Sequence, residues 1–503
     1  NTETNTISLR NIIGTHQLRI KELNLTFLDV TKAFDSVNHE TLLKAASRIG
    51  FPPPFIAYLS NFYQHAKTRI SVGGEISAPI SVTRGIKQGD PLSGPLFLAV
   101  IDWATSYIDE EIGCKIGSEP IGHLAFADDL VLLSRSKVGM STALEQLQTG
   151  LSLAGLKLNR DKCASLRISA DGKKKKWVVD RTPTWMIDGH PMRALGVDEV
   201  YRYLGADLGS SSQRADCKSR LCQDLRNLTA APLKPQQRLF MLKTNVVPRS
   251  LHRLIFTPTT AKLLKSLDGL IRKNIRQWVK LPHDTPLGFF YADCRDGGLG
   301  IPRLMTSIPL LRAKRLLNYC NSNDTTTIAL RNTDTFRKLT ARWSIPPKVR
   351  GSVLQTKQDV RAFHQTQLVR STDGAGLNQA QLVPYQGEWI SNGSALMSGR
   401  NFVGAILTRG SLLFTSLRSA RGRPTSSTAC DCCGRVESLG HILQVCSRTH
   451  SVRIRRHDRI SNLIIKEAKK KGWAAIEEPR IPTPGGIRKP DIVFHRGEQA
   501  WVV

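Results

Sequence analysis

Two apolar segments in the first third of the chain are interrupted by acidic residues. Residues 25–31 (LTFLDVT) have the composition of a short buried strand, and Asp29 lies within it. Residues 123–134 (HLAFADDLVLLS) place Asp128 and Asp129 between two apolar runs, which predicts two strands joined by a tight turn. A charge at such a position is costly unless it is neutralised, so these acids are expected to meet cations.

The segments between these acids combine strand and helix patterns. Residues 67–72 and 77–83 alternate in polarity on either side of a Gly-Gly pair, which predicts a β-hairpin. Helices are predicted after residue 35, from the Asp90-Pro91 pair through 96–108, and over 141–154.

The pattern becomes more polar and then more helical beyond residue 170. The predicted segments are an exposed basic insertion at 170–200, a strand near 203, helices rich in Leu, Lys and Arg over 214–280, a turn-rich boundary at 293–302, broken helical stretches over 303–425, and a cysteine cluster followed by a mixed α/β pattern over 426–503.

Charge narrows the partners that this chain can have. Its 503 residues include 72 Lys and Arg against 41 Asp and Glu, a net charge of +31 that is spread along the chain. Such a balance favours a polyanion, and nucleic acid first. Ribosome-associated and membrane-surface proteins are the alternatives, but neither needs the acidic motifs. No secretory leader or long apolar run is visible, so no membrane partner is expected, and ten cysteines favour a reducing compartment over a disulfide scaffold.

Carboxylates on neighbouring strand ends would form a site for two magnesium ions. Such a pair would lower the pKa of a primer 3′-hydroxyl and stabilise a leaving pyrophosphate. The alternative for Asp128-Asp129 is an ordinary turn, which Asp favours. Asp35 is a rival to Asp29, but it falls in the first turn of the following helix and is interpreted as a structural acid.

A third motif lies between the acids, in residues 84–102 (RGIKQGDPLSGPLFLAVID). Arg84 and Lys87 are placed to meet phosphate, and Gln88-Gly89 removes side-chain bulk where a base pair must approach the backbone. A capped helix with a flexible lead-in is the alternative, but it does not explain three motifs in this order.

In their order, LDVTKAFD, QGDPLSGPLF and FADD resemble the palm domain of reverse transcriptases. The resemblance implies that Asp29, Asp128 and Asp129 bind Mg²⁺. These three side chains are therefore the predicted metal ligands and catalytic acids of a polymerase.

Further positions follow from the same resemblance. Phe34 would pack beneath the incoming sugar and exclude a 2′-hydroxyl, so that dNTP is favoured, and Gln88 and Gly89 would contact that nucleotide. Lys162, in GLKLNRDKC, would donate a proton to the leaving pyrophosphate, although a plain surface lysine is the alternative. Residues 201–209 (YRYLGADLG) resemble the primer-grip hairpin, and the helices after them would form the thumb.

Four potential zinc ligands are close together near the end of the chain. Cys430 and Cys433, followed by His441 and Cys446, have the spacing of a closed tetrahedral site, with Cys432 as an alternative to Cys433. Buried free thiols would be another explanation, but so polar a segment offers little core. A structural Zn²⁺ is therefore predicted. The arginines expected to contact phosphate beside it are Arg418, Arg421, Arg423, Arg453, Arg455 and Arg456.

The last segment predicts a basic helix followed by strands. Asp491 stands in a Pro-Asp pair before an apolar strand, with Glu477 or Glu478 upstream, and this resembles restriction-like endonucleases. Those enzymes carry a second acid and a Lys on the next strand. Here that strand is AWVV and has neither, so Asp491 is the catalytic candidate of a partial nuclease.

The succession as a whole is similar to the proteins of non-LTR retrotransposons that insert into ribosomal RNA genes. It implies an α+β fold: a right-hand polymerase palm with an antiparallel sheet and packed helices, then a helical thumb, a linker, a zinc knuckle and an α/β nuclease. The expected domains are the palm with residual fingers at 1–212, the thumb at 213–302, the helical linker at 303–425, the zinc knuckle at 426–450 and the partial endonuclease at 451–503.

This resemblance implies target-primed reverse transcription in the nucleus. The nuclease would nick chromosomal DNA, and the polymerase would extend the freed 3′ end with dNTPs on the element's own RNA template. Members of this group carry fingers motifs before the palm and a complete nuclease, so the chain is expected to be an internal fragment. The alternative is a non-catalytic nucleic-acid-binding protein derived from a reverse transcriptase. A group II intron-type protein shares the palm but not this ending, and the number of subunits stays open.

Overall fold

The computed structural model describes residues 2–182, 184–210, 217–391, 397–421, 423 and 426–502. Up to residue 208 the helices are α1 (Thr2–Arg19), α2 (Ala33–Ser36), α3 (His39–Arg48), α4 (Pro53–Gln64), α5 (Ser93–Thr105) and α6 (Lys137–Leu153). The strands are β1 (Leu23–Thr31), β2 (Lys67–Thr68), β3 (Ser71–Val72), β4 (Glu75–Ile76), β5 (Ile80–Ser81), β6 (Cys114–Ile116), β7 (Glu119–Ile121), β8 (His123–Phe126), β9 (Asp129–Ser134), β10 (Lys157–Leu158), β11 (Ala164–Asp171), β12 (Lys176–Asp180), β13 (Met186–Ile187), β14 (His190–Pro191), β15 (Arg193–Ala194), β16 (Tyr201–Tyr203) and β17 (Ala206–Leu208).

A seven-stranded sheet is the centre of this part. Its main path runs β12-β11-β1-β9-β8 with antiparallel neighbours, while β10 pairs with β1 and β15 runs parallel to β11. Along β1, Leu23, Leu25 and Phe27 enter the core that contains α1 and the hairpin β16–β17, whereas Leu28 and Val30 enter the core of α3, α5 and α6. Because both faces are covered, β1 is buried almost throughout, and its apolar residues point to both faces.

Most of the elements predicted for this part are confirmed, and one boundary is wrong. The strand at 25–31 lies within β1, and the predicted hairpin forms because β3 pairs with β4 and β2 with β5. The helix predicted from Asp90-Pro91 begins at Ser93 instead. Asp90 Oδ1 accepts a hydrogen bond from the backbone N–H of Leu92 at 2.9 Å, which forms a turn before the helix.

The insertion predicted at 170–200 is exposed only in part. The four lysines from Lys173 to Lys176 are exposed, but β12 and β15 both pair with β11, along the edge that β1 leaves open. Trp185, Ile187 and Met192 are buried. The prediction was wrong there because the edge strands of a sheet alternate polar with apolar residues and look polar overall.

The remaining described residues are mostly helical. Their helices are α7 (Cys217–Ala230), α8 (Pro235–Met241), α9 (Val247–Phe256), α10 (Ala261–Val279), α11 (Leu287–Tyr291), α12 (Leu304–Cys320), α13 (Thr325–Arg331), α14 (Asp334–Trp343), α15 (Lys357–Val369), α16 (Glu388–Ser391), α17 (Gly399–Arg409), α18 (Ser416–Ser419) and α19 (His450–Lys470). Their strands are β18 (Lys348–Val349), β19 (Ser352–Val353), β20 (Ala474–Glu477), β21 (Ile481–Thr483), β22 (Gly486–Arg488), β23 (Ile492–Arg496) and β24 (Gln499–Val502).

One apolar core runs from α7 to α17 without a break at the segment predicted as a turn-rich boundary. Leu299 and Ile301 of that segment are buried in it, together with Ile271 of α10 and Phe402 of α17. The last strands form a separate antiparallel sheet, β20-β23-β24, whose small core includes Ile465 of α19. Among the described residues, no helix combines the length and apolarity needed to cross a bilayer.

Candidate active site and cysteine–histidine cluster

The three predicted carboxylates are brought together where β1 meets the hairpin β8–β9. Asp29 and Asp129 are register partners in the sheet. Phe126 pairs with Asp129, so Ala127 and Asp128 alone form the turn. Ala127 has a φ of 51°, the left-handed conformation that two-residue hairpin turns demand. The turn therefore holds Asp128 directly beside Asp129.

Burial and like charges together oppose ionisation of Asp129. Burial raises the pKa of Asp129, and the neighbouring carboxylates Asp128 and Asp29 raise it further. Lys162 acts in the opposite direction. Clustered oxygen donors of like charge suit a hard divalent cation such as Mg²⁺, which would remove the repulsion, so the residues present fit that ion.

Lys162 reaches the carboxylates from a turn that is fixed to β1. Its Nζ lies 3.2 Å from Asp29 Oδ2, and its side chain is 65% exposed. The backbone N–H of Asn159 donates to Asp29 O at 2.7 Å, which ties the turn to the strand. An exposed lysine with a long flexible stem is free to exchange this carboxylate for a phosphate.

Phe34 and the Gln-Gly pair are joined by backbone contacts. The ring of Phe34 stacks on the fully buried Phe97 with centroids 4.4 Å apart, and its carbonyl accepts from the N–H of Ile86 at 2.7 Å. Gln88 Nε2 donates to Asp35 Oδ1 at 2.7 Å, while Gly89 is exposed with a φ of 87°. Residues 34–35 and 86–88 are therefore linked twice, by the backbone of Phe34 and by the side chain of Asp35, and these linked segments form a wall that carries Phe34 and Gln88.

An open cleft of about 950 Å³ lies beside Gln88. Tyr58 and Phe62 of α4 line it, and Lys87 Nζ lies 5.5 Å from the Phe62 ring centroid. Lys67 and Arg84 add positive charge to its lining. Aromatic faces beside cations are the usual features of a surface that binds unpaired bases.

The four predicted zinc ligands converge as their spacing indicated. The ligand atoms of Cys430, Cys433, His441 and Cys446 all lie within 4.8 Å of one another. The Sγ of Cys432 lies outside this group, 3.4 Å from Ser447 Oγ, which favours Cys433 between the two alternatives. Three thiols and one imidazole are the donor set of a tetrahedral zinc site, so the residues present fit Zn²⁺.

Local hydrogen bonds prepare one of these thiols for a metal. The backbone N–H of Cys432, followed by the imidazole of His441, lowers the pKa of the Cys430 thiol to about 6. Gly434, with a φ of 70°, lets the chain turn so that its N–H donates to Cys430 O at 2.8 Å. A thiolate formed at neutral pH is the species that binds zinc.

Two of the arginines expected to contact phosphate are committed to ion pairs. Arg418, only 9% exposed, contacts both Asp284 and the buried Asp373 at 2.6 Å. Arg421 lies 2.7 Å from the same Asp373. These ion pairs with acids of distant sequence segments, the buried Asp373 and the exposed Asp284, compete with the expected phosphate contacts, whereas Arg455 and Arg456 are exposed.

The nuclease candidate Asp491 lies before β23 and is 60% exposed. Its carbonyl accepts from the N–H of Glu478 at 2.9 Å, and its Oδ2 lies 3.8 Å from His457 Nδ1. The ion pair of Glu478 with Lys489 is close by. The strand predicted at AWVV forms as β24, but it brings no further acid toward Asp491.

Two features escaped the sequence patterns. The aromatic spacing of Phe51, Phe55, Tyr58 and Phe62 was a usable signal for the face that α4 presents beside the cleft. The hydrogen bond from Asn5 Nδ2 to Ala125 O, at 2.9 Å, joins residues 120 positions apart and had no signal.

Comparison with known proteins gives consistent matches. Residues 3–208 match the family described as reverse transcriptase (RNA-dependent DNA polymerase). The Pol polyprotein of the type-1 retrotransposable element R2 of Nasonia vitripennis is 35% identical, covering 99% of this chain and 48% of that protein. An R2 polyprotein of Popillia japonica is 33% identical, covering 99% of this chain and 81% of its own length. That of element R2DM of Drosophila melanogaster is 33% identical, covering 93% and 44%. The chain thus spans about half the length of the first and third of these relatives.

Proposed function

The chain belongs to the R2 retrotransposable-element family of reverse transcriptases, and from this premise we propose that it is the RNA-directed DNA polymerase of a non-LTR retrotransposon. It would join a dNTP to a primer 3′-hydroxyl on an RNA template. The observation that carries the proposal is the register pairing of Asp29 with Asp129, with Asp128 in the adjoining turn. A protein that only binds nucleic acid has no need of three acids that repel one another.

The residues of the site would have different roles in nucleotidyl transfer. Asp29, Asp128 and Asp129 would hold two Mg²⁺ ions. Once bound, these ions supply activation of the primer hydroxyl and stabilisation of the developing pyrophosphate charge. Lys162, released from its ion pair with Asp29, would turn to the pyrophosphate and donate its proton.

Selection of the nucleotide would fall to the wall that carries Phe34. The ring has little freedom because it stacks on Phe97. A ring held in this way would exclude a ribose 2′-hydroxyl and so favour dNTP. Gln88, fixed by Asp35, and Gly89, which has no side chain, would let the incoming base pair approach the backbone.

The template strand would enter through the cleft beside Gln88. Its unpaired bases would stack on Tyr58 and Phe62, and its phosphates would meet Lys67, Arg84 and Lys87. Tyr58→Ala is expected to weaken binding of a recessed primer–template with a long RNA overhang, but not of one with a blunt end. The comparison needs only two RNA substrates in a fluorescence titration.

The C-terminal segment would serve the DNA target in the nucleus. Zn²⁺ on Cys430, Cys433, His441 and Cys446 would fold the knuckle. Asp491 would belong to the linked endonuclease that nicks chromosomal DNA and frees the 3′ end for target-primed reverse transcription. Asp491→Ala should abolish nicking of a plasmid that contains the target sequence, while extension of an annealed primer persists.

The decisive test of the polymerase is primer extension on RNA with Mg²⁺ and dNTPs. The protein would be expressed from the complete open reading frame of which residues 1–503 are a part. Extension that is lost in Asp128→Ala/Asp129→Ala, but kept in the surface variant Asp161→Ala, would support the proposal. Intact RNA binding with no extension by the unsubstituted protein would overturn it and favour the non-catalytic binding protein.

A further inference from the structure

Helix α1 (Thr2–Arg19) is buried on all sides although its apolar residues do not form one stripe. Leu9 and Ile12 are fully buried, but so are Thr6 and Ser8, and Asn11 is 2% exposed. A helix that encloses so many polar side chains must find partners for them in the elements around it. These partners show what α1 connects.

One side of α1 contacts the hairpin that carries two catalytic acids. Asn5 Nδ2 donates to Ala125 O in β8 at 2.9 Å. Strand β8 is the last strand of the main sheet path, so its outward carbonyl groups have no strand partner on that path. Asn5 therefore binds the edge of the hairpin three residues before Asp128.

Two other side chains of α1 bind the segment that ends the sheet domain. Gln17 Nε2 donates to Ser210 O at 2.5 Å, and Arg10 donates to Asp207 O of β17 at 3.3 Å. α1 thus touches both hairpins that frame the carboxylates, β8–β9 and β16–β17.

Further side chains of α1 are held by helices from the segment expected to be a linker. Glu3 pairs with Arg315 of α12 at 2.6 Å, and Ser8 Oγ lies 3.0 Å from Tyr319 Oη of the same helix. Thr15 donates to Thr335 of α14 at 3.1 Å. Gly14 lies so close to Thr335 that an added Cβ would come within 2.8 Å of its methyl group.

We infer that α1 is a positioning element of the polymerase and that Asn5 is its positioning residue. Helices α12 and α14 hold α1, and Asn5 holds the edge of β8 so that Asp128 and Asp129 keep the spacing that two Mg²⁺ ions require. This inference rests on the polymerase function proposed above. It gives residues 304–343 a role in catalysis through α1, although none of their hydrogen bonds or ion pairs is with Asp29, Asp128 or Asp129.

The physical need for such a brace follows from the charges at the turn. Asp29 and Asp129 are opposite one another on paired strands and Asp128 lies in the adjoining turn, so three like charges meet at the end of the hairpin. An edge strand can yield to their repulsion unless its outer side is held. Since a misplacement of about 1 Å at reacting groups costs about a hundredfold in rate, a smaller shift is expected to cost about tenfold.

The test is the Mg²⁺ dependence of primer extension by Asn5→Ala and Asn5→Asp, made in the complete reading frame. Asp has nearly the shape of Asn and suits the first turn of a helix, so the second variant should fold even if the first does not. We expect kcat to fall about tenfold and the Mg²⁺ concentration at half-maximal rate to rise several-fold, while KM for dNTP and the affinity for RNA stay unchanged.

Asn11→Ala is the matched control. Asn11 is an amide on the same helix, but its Nδ2 donates to Ile7 O of α1 itself at 2.9 Å. Loss of the Asn11 amide should lower the melting temperature without changing the Mg²⁺ concentration at half-maximal rate. The inference is overturned if both Asn5 variants keep the kcat and Mg²⁺ midpoint of the unsubstituted protein, or if Asn11→Ala shifts that midpoint equally. Absence of extension by the unsubstituted protein would instead refute the polymerase proposal itself.

Discussion

The carboxylate site and the cysteine–histidine cluster both gather candidate metal ligands, but they are built in opposite ways. Asp29 and Asp129 project from paired strands of a sheet with a packed core on each face. In the segment 426–449, by contrast, the buried residues are Cys430, Glu437, His441 and Cys446, so three of the four are ligands and none is an aliphatic or aromatic core residue. The sheet domain supplies a fold on which a metal could be placed, whereas we expect the cluster to need a metal in order to fold.

This difference changes what a lost ligand should do. At the carboxylate site, the three acidic side chains repel one another. Removing one of them should therefore reduce catalysis and leave the fold intact or more stable. In the cysteine–histidine cluster, the ligands take the place of an apolar core, so removing one of them should unfold residues 426–449. Activity and stability therefore respond oppositely at the two sites.

The largest expected effect is on catalysis by Asp129→Asn. The amide keeps the shape of the side chain but binds Mg²⁺ poorly. Primer extension should fall by about a thousandfold or more, the loss that follows from several kcal/mol of metal stabilisation. The melting temperature without metal should not fall, because one of three repelling charges is gone. The extension rate and the melting temperature would be measured on the same preparation. A clear drop in the melting temperature of Asp129→Asn would contradict the view that the carboxylates do not stabilise the fold.

The second largest effect is expected on zinc binding by the Cys433→Ser variant. The Cys432→Ser variant, at the neighbouring position, is its control. Cys433 is a member of the converging set, whereas the Cys432 thiol points to Ser447. Zinc affinity should fall by about a hundredfold or more in the first variant and stay unchanged in the second. Bound metal can be measured by mass spectrometry under native conditions, and amide exchange across 426–449 reports the fold. Equal loss in both variants would mean that the geometry assigns the wrong thiol.

The same contrast explains what the sequence could predict. Both sites were located in advance, because their chemistry lies in short motifs: an acid pair between two apolar strands, and a Cys-x2-Cys pair followed by His and Cys. The register that sets Asp29 opposite Asp129 could not be predicted, because β1 and β9 are buried on both faces and show no polar–apolar alternation.

Long-range pairing of polar residues could not be predicted. Arg418 looked like a phosphate ligand because the acids that neutralise it, Asp284 and Asp373, are far away in the sequence. Helix α1 had no amphipathic stripe, since it is buried from several directions at once. Residues 303–425 looked like a broken linker because their apolar positions are divided among many short helices that share a core with α7–α10.

A smaller effect is expected from pH and Mg²⁺ together. Because the pKa of Asp129 is raised in the folded state, its ionised form opposes folding. That contribution favours the folded state below the unfolded pKa of about 3.8 and is lost as pH rises through the higher folded pKa. Near pH 7, saturating Mg²⁺ should therefore raise the melting temperature by about 5 °C. Calorimetry at several pH values would test this, and an equal Mg²⁺ response in Asp129→Asn would refute it.

The smallest effect concerns two residues in the left-handed region, one at each site. Ala127 in the palm turn has a φ of 51°, and Gly434 in the cluster has a φ of 70°. Ala127→Gly should stabilise the palm by about 1 kcal/mol, because glycine adopts this conformation without strain. Gly434→Ala should cost the cluster a similar amount, since an added Cβ would meet no neighbour within 4 Å but would impose the backbone strain.

These two substitutions separate an effect on stability from an effect on function. A palm held rigid by its sheet should gain stability from Ala127→Gly yet need more Mg²⁺ for half-maximal rate, because the turn that fixes Asp128 becomes more flexible. The cluster should absorb the Gly434→Ala strain once zinc is bound, since metal binding contributes roughly ten times as much as that strain. Thermal melts with and without zinc, and Mg²⁺ titrations of primer extension, measure both. If zinc does not restore the Gly434→Ala cluster, its fold depends on more than its metal.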